Sequence, residues 1–583
     1  MPSVIQGDSL LAVDIGAATT RAVLFDVVEG EYRLVSAAQA PTTAEAPYKN
    51  ILEGVRSALH QLEAVTGCPL VDPDGDLITP AQEDGSGVEH LVVTLSAGPA
   101  LRALVAGLLP EASLESARRL VETVYARVVD HTSLQDHRRS DELIDSMLRL
   151  HPDIVVMTGG TDGGASRSLQ KMLEPIGLAS YLMPVEQRPF FLFAGNQAME
   201  AEVRDLLANK VTSLSISPNV RPTLDTEDLD PAARELARLY IDIRRRQLAG
   251  VDILDGWSHG HMLPTGYAIG RMMRFLSKVY GSSKGILAVD LGASAATLAA
   301  GFKQHSTLGI YPQFGLGESL SGLLGYTTLE NILAWSPVDL PPAQLHDYLH
   351  QKSLYPASIA ATMEDQALSY AVARQALALA VQSARRDFPR SAAHLKPGLL
   401  PLFEPILAGG GPLSNAPTPG QSLLLILDAI QPVGVTTVIL DQHSIIPLLG
   451  AAAGQNTLLP VQVLESGAFM SLGTVVAPLA AGTYGSPLLK ARLTYEDGTE
   501  ARAEVKYGTL EILPLPSGHN ARLSLTPVGR SDAGFGPGRE GVLNVSGGAL
   551  GVVFDGRGRP ILLPTDPGRR RDLVKNWHWT MGG

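Results

Sequence analysis

Two stretches of this sequence share one pattern: residues 9–26 read SLLAVDIGAATTRAVLFD, and residues 285–302 read GILAVDLGASAATLAAGF. In each stretch an apolar run leads into Asp-x-Gly, and a second apolar run follows. This pattern predicts a strand, a glycine turn and a second strand. Because the pattern returns at the start of the second half of the chain, the sequence looks internally duplicated.

Each Asp-x-Gly turn is a candidate phosphate-binding site. A glycine turn lets backbone N–H groups close around phosphate oxygens, and a carboxylate beside them can hold hydrated Mg²⁺. Such turns also simply connect strands, but the second copy favours two turns that clamp the phosphates of one nucleotide. The candidate residues are Asp14, Gly16, Ala17, Thr19 and Thr20 in the first turn and Asp290, Gly292 and Ser294 in the second, with Asp14 and Asp290 as metal candidates.

A third glycine turn follows an apolar run in the segment Ile406-Leu407-Ala408-Gly409-Gly410-Gly411-Pro412. Positions without side chains would let an adenine and a ribose lie against the backbone. An ordinary turn from strand to helix rarely needs three successive glycines. We therefore predict that Gly409, Gly410 and Gly411 bind the adenosine part of the nucleotide.

Composition limits the class of protein. A chain of 583 residues with 45% hydrophobic and 18% charged residues predicts several globular domains. The net charge of -13 argues against binding along a nucleic-acid backbone. A single cysteine, Cys68, and the lack of an apolar run long enough to span a bilayer predict a soluble cytoplasmic protein without a membrane partner.

Strand and helix signals alternate through the rest of the chain and predict an α/β fold. The first lobe is expected over residues 1–284, with an additional α/β segment at about 131–215 and a connector rich in proline and acidic residues at 218–230. The second lobe is expected over residues 285–486. Short strand signals with DG and GG turns predict a C-terminal β domain over 487–583, and KNWHWTMGG at its end alternates as an edge strand does.

The three glycine turns, in this order, resemble the actin, sugar kinase and heat-shock ATPase superfamily, whose duplicated ribonuclease H-like fold forms two lobes. Within it, the sequence is similar to the MutL or GlmL family of glutamate mutase accessory proteins, and the similarity spans nearly the whole chain. The segments that carry it are Ser96–Leu108, Val155–Gly164, Phe193–Gln197, Leu423–Ala453 and Gly547–Pro564.

The resemblance implies ATP with Mg²⁺ as ligands, Arg21 as a further residue of the first phosphate segment, and an accessory or chaperone role toward an adenosylcobalamin-dependent glutamate mutase or related carbon-skeleton mutase. The second phosphate segment departs from the superfamily, because Ala295-Ala296-Thr297 stands where Thr-Thr-Asp is usual. We therefore expect ATP hydrolysis to be slow or absent, and no catalytic residue is assigned.

Several alternatives stay open at this point. A small-molecule kinase of the same fold would need a carboxylate base beside an acceptor hydroxyl, and a nucleotide-independent scaffold would have lost ATP binding. The glycine turn Thr158–Gly164 suits either an anion or the start of a helix. Asn196, Asp441 and His443 are expected at helix starts. The oligomeric state is not predicted.

Overall fold

The computed structural model describes residues 9–280, 283–303 and 305–582. The strands, in chain order, are β1 (Leu10–Ile15), β2 (Thr19–Val28), β3 (Glu31–Pro41), β4 (His90–Leu95), β5 (Leu101–Gly107), β6 (Ala126–Thr132), β7 (Ile154–Thr158), β8 (Phe190–Phe193), β9 (Ser213–Ile216), β10 (Met262–Pro264), β11 (Gly285–Leu291), β12 (Ala296–Gly301), β13 (Ser306–Tyr311), β14 (Phe403–Gly409), β15 (Gly434–Leu440), β16 (Met470–Ala477), β17 (Pro487–Tyr495), β18 (Glu500–Lys506), β19 (Leu510–Leu513), β20 (Asn520–Pro527), β21 (Gly541–Ser546) and β22 (Val552–Asp555).

The helices, in chain order, are α1 (Ile51–Thr66), α2 (Glu115–Val121), α3 (Ser140–Leu150), α4 (Ser166–Leu182), α5 (Glu200–Leu207), α6 (Asp230–Gln247), α7 (Val251–Trp257), α8 (Thr265–Tyr280), α9 (Leu329–Leu333), α10 (Pro342–Leu354), α11 (Met363–Ala384), α12 (Gly411–Ser414), α13 (Pro419–Ile430), α14 (Ile445–Ala452), α15 (Leu458–Glu465) and α16 (Pro567–Thr580).

Local side-chain signals set the ends of several helices. The Asn50 side chain accepts a hydrogen bond from the Leu52 N–H at the start of α1, and Gly67 ends that helix in the left-handed conformation. Thr362 and Asp365 form a reciprocal capping box at the start of α11. These residue types favour helix boundaries at these positions.

The first lobe is built on a five-stranded sheet in the order β3-β2-β1-β4-β10. Strands β1, β2 and β3 are antiparallel, whereas β4 and β10 run parallel to β1. Asp14, near the end of β1, lies opposite Arg21 on β2.

The second lobe repeats this arrangement. Its eight-stranded sheet has the order β13-β12-β11-β14-β15-β16-β22-β19, and its first five strands follow the order and directions of the first sheet. Asp290 pairs with Thr297 as Asp14 pairs with Arg21. The predicted duplicated, two-lobed actin-like fold is therefore confirmed, with each Asp-x-Gly turn at the same place in its lobe.

Helices α8 and α14 lie between the two sheets. Their apolar side chains join those of β1, β2, β4, β11, β12 and β14 in one buried cluster. A Cβ atom on Gly450 of α14 would lie 2.0 Å from the carbonyl oxygen of Ala268 on α8, so only a glycine allows this approach. This cluster joins the lobes and positions their turns relative to each other.

The additional α/β segment is a parallel sheet in the order β6-β5-β7-β8-β9, which is a doubly wound order. It begins at Leu101, earlier than the predicted 131, because the apolar run Leu101–Gly107 forms a strand that the sequence analysis missed. Helix α2 ends at Val121, and strand β6 begins at Ala126.

The C-terminal part differs from the prediction of a separate β domain over 487–583. Strands β17, β18, β20 and β21 do form a sheet of their own, in the order β18-β17-β20-β21. Strands β19 and β22, however, extend the sheet of the second lobe. The final segment is helix α16 rather than an edge strand, and Trp577 on this helix packs into the core of the second lobe.

Among the described residues, every helix is too short or too polar to span a bilayer.

We expect Gly450→Ala to destabilise the protein, because the new methyl group would overlap the Ala268 carbonyl and force α8 and α14 apart. Overpacking of this kind typically costs about 1–3 kcal/mol. The matched control is Gly256→Ala in α7, where a Cβ atom meets nothing within 4 Å. Thermal unfolding should show a lower midpoint for Gly450→Ala only, and equal midpoints for the two variants would contradict this role of the helix contact.

Candidate functional site

A cavity of about 1140 Å³ lies between the two lobes. It is lined by residues of both Asp-x-Gly turns and of the third glycine turn. Thr20 and Gly409 lie outside its lining. The predicted site residues that do line it are Asp14, Gly16, Ala17, Thr19, Arg21, Asp290, Gly292, Ser294, Gly410 and Gly411.

The two Asp-x-Gly turns have the same backbone geometry. The Gly16 N–H donates to the Thr19 carbonyl at 3.0 Å, and the Gly292 N–H donates to the Ala295 carbonyl at 3.0 Å. Each hydrogen bond thus closes a turn of four residues, directly after the strand that carries the aspartate. Two equivalent turns facing one cavity are suited to binding an anion with several oxygens.

The first turn is supported from behind by hydroxyl groups. Thr20 is fully buried, and its Oγ1 lies 2.9 Å from Oγ1 of Thr42. Thr42 in turn donates from Oγ1 to the Gly16 carbonyl at 2.8 Å. Thr20 therefore shapes the turn and does not reach the cavity, unlike the ligand contact expected from the sequence.

The second turn is supported by the backbone of the segment that follows β13. The Leu316 N–H donates to the Gly292 carbonyl at 3.0 Å, and the Gly317 N–H donates to the Ala293 carbonyl at 2.8 Å. A Cβ atom on Gly315 would lie 2.4 Å from the Ser294 carbonyl oxygen. This close backbone packing keeps the turn rigid without the hydroxyl groups that support the first one.

The third glycine turn joins β14 to the short helix α12. Gly410 has a φ of 97°, and a Cβ atom there would lie 2.2 Å from the carbonyl oxygen of Leu291, so this position requires glycine. Gly411 lines the cavity with little around it, since a Cβ atom would come no closer than 3.9 Å to Asn415 Nδ2. The turn therefore leaves an open backbone surface beside the second Asp-x-Gly turn.

Two carboxylates, Asp14 and Asp290, line the floor of the cavity, and Asp441 acts electrostatically on Asp290 from outside the lining. Burial raises the pKa of Asp14, although hydrogen bonds from Thr94 Oγ1 at 2.7 Å and Thr265 Oγ1 at 3.0 Å oppose this. Burial, together with the charges of Asp14 and Asp441, raises the pKa of Asp290 to about 7. The shared repulsion makes this floor a place where a cation would be bound favourably.

Arg21 is the cation that opposes this repulsion. Its positive charge lowers the pKa of Asp14, Asp290 and Asp441 against the larger effect of burial. Arg21 also lines the cavity, so its guanidinium can contact a ligand there. Mixed charge of this kind suits a metal-bound polyanion better than a free anion or a free metal ion.

Gly409 lies between two of these carboxylates. A Cβ atom on it would lie 3.4 Å from Asp290 Oδ1 and 3.6 Å from the Cβ of Asp441. Gly409 thus lets β14 pass beneath the cavity floor, whereas the sequence analysis placed it in contact with adenosine.

Asp441 lies at the start of a helix, as predicted, and it also influences the charge of Asp290. Its carboxylate accepts hydrogen bonds from the backbone N–H groups of Ile445 and Ile446, both at 2.8 Å, at the start of α14. It also acts electrostatically on Asp290. This second role could not be predicted from the sequence, because it depends on strands β11 and β15 lying on either side of β14.

Other functional residues were missed for the same reason. Thr94 and Thr265, which hold the Asp14 carboxylate, come from β4 and the start of α8, far from Asp14 in sequence. The three residues of α16 that line the cavity, Lys575, His578 and Trp579, lie in a segment expected to be a strand. The spacing 575, 578, 579 is a helical one, and this was the available signal.

The glycine turn Thr158–Gly164 follows β7 in the additional sheet and does not line the cavity between the lobes. Asn196 accepts a hydrogen bond from the Ala198 N–H at 3.1 Å, as predicted for a residue at a helix start. Its Oδ1 also accepts from the Gly163 N–H at 2.9 Å. Asp162 accepts from Asn219 Nδ2 at 2.8 Å, so this turn is held by its own neighbours.

Comparison with known proteins shows the family to which this chain belongs. Residues 10–467 match the family model described as MutL protein. "Protein MutL" from Clostridium tetanomorphum is 25% identical over 295 residues, which cover 49% of this chain and 56% of that protein. The match thus spans little more than half of the relative's length.

Solved structures give weaker likenesses. The ethanolamine utilization protein EutJ from Carboxydothermus hydrogenoformans is 12% identical with a TM-score of 0.28, over 78% of this chain and 91% of that one. The nucleotide-free diol dehydratase-reactivating factor is 11% identical with a TM-score of 0.28, over 79% and 99%. The fold described above therefore rests on the duplicated strand order of this chain itself.

We expect Asp290 to make the stability of the nucleotide-free, metal-free protein depend on pH. The pKa of this carboxyl rises from 3.8 to about 7 on folding, so the folded protein holds a proton that the unfolded chain releases. The stability it contributes is full at low pH and is lost as the pH rises through about 7.

The variant Asp290→Asn keeps the shape without the titration. As the pH rises from about 4 to about 7, the thermal midpoint of the natural protein should therefore fall relative to that of Asp290→Asn. The control is Asp84→Asn. Hydrogen bonds from Ser86 lower the pKa of the Asp84 carboxyl, which is therefore ionised over this whole pH range. The difference in thermal midpoint between Asp84→Asn and the natural protein should therefore not change with pH. An offset for Asp290→Asn that does not change with pH would contradict the buried carboxyl.

Proposed function

We propose, from the premise that this chain belongs to the MutL protein family, that it binds ATP with Mg²⁺ between its lobes and acts as an accessory or chaperone-like protein for an adenosylcobalamin-dependent mutase. The partner would be a glutamate mutase or a related carbon-skeleton mutase. Nucleotide is then used to act on a protein and not on a metabolite.

The observation that carries this proposal is that three glycine turns from two equivalent sheets line one cavity. The turns at Gly16 and Gly292 supply backbone donors from opposite lobes for the phosphates. The open backbone at Gly411 supports placing the adenosine next to the second turn. Arg21 supplies the positive charge that a triphosphate needs.

Magnesium fits this site only together with the nucleotide. Among the described residues, no group of three or more histidine, cysteine, aspartate or glutamate side chains is placed to hold a metal ion. Mg²⁺ commonly binds through one or two carboxylates, several waters and the phosphates of its substrate. Asp14 and Asp290 match this arrangement, because they lie at the cavity floor and act electrostatically on each other.

The lobes have contacts that a nucleotide could shift. Besides the α8–α14 contact, Asn456 Nδ2 donates to the Tyr32 hydroxyl at 2.8 Å, and Arg386 pairs with Glu122 at 2.6 Å. Both pairs join residues on opposite sides of the duplication. Ligand binding changes the lobe arrangement only through contacts that differ between its states, and these polar pairs are weak enough to exchange.

The proposed function is tested with a mutase that has been inactivated by damage to its cofactor. We expect the chain to restore its activity only when ATP, Mg²⁺ and fresh adenosylcobalamin are all present. Restoration without nucleotide would favour a nucleotide-independent scaffold. ADP formation that depends on a small acceptor molecule and not on the mutase would instead show a kinase.

We expect Asp14→Ala to weaken Mg-ATP on the order of ten- to a hundredfold, because Asp14 holds the water shell of the metal. Without Mg²⁺, the same variant should bind ATP as well as the natural protein or more tightly, since a carboxylate beside the phosphates has been removed. The matched control is Asp26→Ala on β2, outside the cavity lining. Calorimetry that finds unchanged Mg-ATP affinity in Asp14→Ala would remove Asp14 from the site.

We also expect the chain alone to hydrolyse ATP very slowly. Ala295 and Ala296 provide no hydroxyl groups, and Thr297 is only 5% exposed and packs toward Gly266 of α8. The second turn therefore lacks side chains that could position the attacking water, and the loss of one such group commonly costs on the order of a hundredfold in rate. Single-turnover measurements without a partner should show intact ATP well after binding is complete. Hydrolysis within seconds would show that another residue positions the water.

A further inference from the structure

Helix α16 contributes one face to the cavity between the lobes. Lys575, His578 and Trp579 line it, at the spacing of one side of a helix. Trp577, on the other side, is buried in the core of the second lobe. This helix lies beyond residues 10–467, the part of the chain that matches the family model.

A second stretch of the cavity lining is also apolar. Ile359 and Met363, from the start of α11 and the loop before it, line the cavity and are 91% and 76% exposed. Trp579 is 77% exposed. Lys352 Nζ holds this loop by donating to the Ser358 carbonyl at 2.6 Å. Large apolar side chains left in solvent along the lining of one cavity favour the binding of a flat apolar group there.

His578 supports the same interpretation. Its ring packs edge-on against Tyr370, which also lines the cavity, with 4.6 Å between the ring centroids. Its Nε2 is buried and has no hydrogen-bond partner among the described residues. Burial is the largest cause of the lowered pKa of His578, so this ring is neutral at physiological pH. A neutral, unpaired ring nitrogen is suited to a heterocycle and unsuited to a phosphate.

Helix α16 is tied closely to the second lobe and to the C-terminal strands. A Cβ atom on Gly420, in the first turn of α13, would lie 1.7 Å from the Met581 carbonyl oxygen. Trp577 Nε1 donates to the Gly508 carbonyl at 2.9 Å, at the turn between β18 and β19. The Trp577 ring also lies 4.7 Å from the guanidinium carbon of Arg557.

Arg557 belongs to a buried ionic network that continues this connection. It pairs with Asp428 of α13 at 2.5 Å and with Asp555 of β22 at 2.8 Å. Asp428 Oδ2 also accepts a hydrogen bond from the Tyr370 hydroxyl at 2.7 Å. A group that contacts Trp579 and Tyr370 is therefore linked through packed side chains to the C-terminal strands.

We propose that the Lys575–His578–Trp579 face of α16 is the base-binding wall of the cleft, with Trp579 stacked on the purine. Occupancy of the cleft then orders α16 together with the turn between β18 and β19. The C-terminal strands are thereby made sensitive to nucleotide. This inference rests on the proposed nucleotide function and assigns a specificity residue outside the part of the chain that matches the family.

The test compares a ligand with a base to one without. We expect Trp579→Ala to weaken ATP about tenfold, because stacking on an aromatic ring is lost, and to leave binding of inorganic tripolyphosphate unchanged. Trp579→Phe should keep most of the affinity for ATP. The control Asn576→Ala, on the same helix but outside the cavity lining, should bind both ligands normally. Calorimetry measures all four proteins.

The outcomes separate the two proposals. If the natural protein binds neither ligand, the proposed function fails and this inference with it. If it binds ATP and Trp579→Ala binds equally well, only the base-binding wall is wrong. Equal loss of ATP and tripolyphosphate in Trp579→Ala would also overturn base stacking.

Hydrogen exchange tests the connection to the C-terminal strands. On addition of ADP, we expect slower exchange in α16 and in the turn that holds Gly508, and no such change in Trp579→Ala. Unchanged exchange in the natural protein at saturating ADP would contradict the connection.

Discussion

The arrangement of this molecule depends on the contact between helices α8 and α14, where Gly450 meets the backbone of Ala268. The sheets of the two lobes pack on these helices and share one apolar cluster with them. The same two helices also position buried carboxylates. Thr265, the first residue of α8, donates a hydrogen bond to Asp14, and the backbone N–H of Ile445, the first residue of α14, donates one to Asp441. The same two helices therefore both join the lobes and hold aspartates at or next to the floor of the cavity.

The second constraint is electrostatic. Burying Asp14, Asp290 and Asp441 together disfavours their charged forms, and Arg21 offsets this only in part. Such a cluster costs stability, and natural sequences keep costs of this kind mainly where function needs them. The proposed ligand, a magnesium nucleotide, would supply what the cluster lacks, because the metal would attract the carboxylates while the phosphates would attract Arg21. Such a ligand would contact the turns of both lobes at once.

Much of this could be predicted from the sequence, because the decisive signals are local. The duplicated Asp-x-Gly pattern predicted the two lobes and, together with the third glycine turn and the family resemblance, ten of the residues that line the cavity. The supports of Asp14 were not predictable, since Thr94 and Thr265 meet it only through sheet order. Thr20 and Gly409 are each adjacent in sequence to residues that line the cavity but do not line it themselves. The sequence pattern does not distinguish a lining residue from its neighbour.

The C-terminal segment was predicted least well, and the reason is physical. Trp577 and Trp579 alternate with polar residues, which is typical of a strand, but a helix also places residues two apart on different sides. Trp577 is buried and Trp579 is exposed at the cavity. A chain cut near Gly485 would therefore lose part of the wall of the cavity between the lobes.

The central claim is that a nucleotide held between the lobes governs how this chain acts on a mutase. Purification of the native protein with its bound partners, followed by identification of the partners and quantification of nucleotide, tests this most directly. The account predicts a complex that contains a mutase subunit and about one adenine nucleotide per chain, as expected for a single cleft between two lobes. A stable mutase complex without nucleotide, or nucleotide-loaded protein with no mutase, would contradict it.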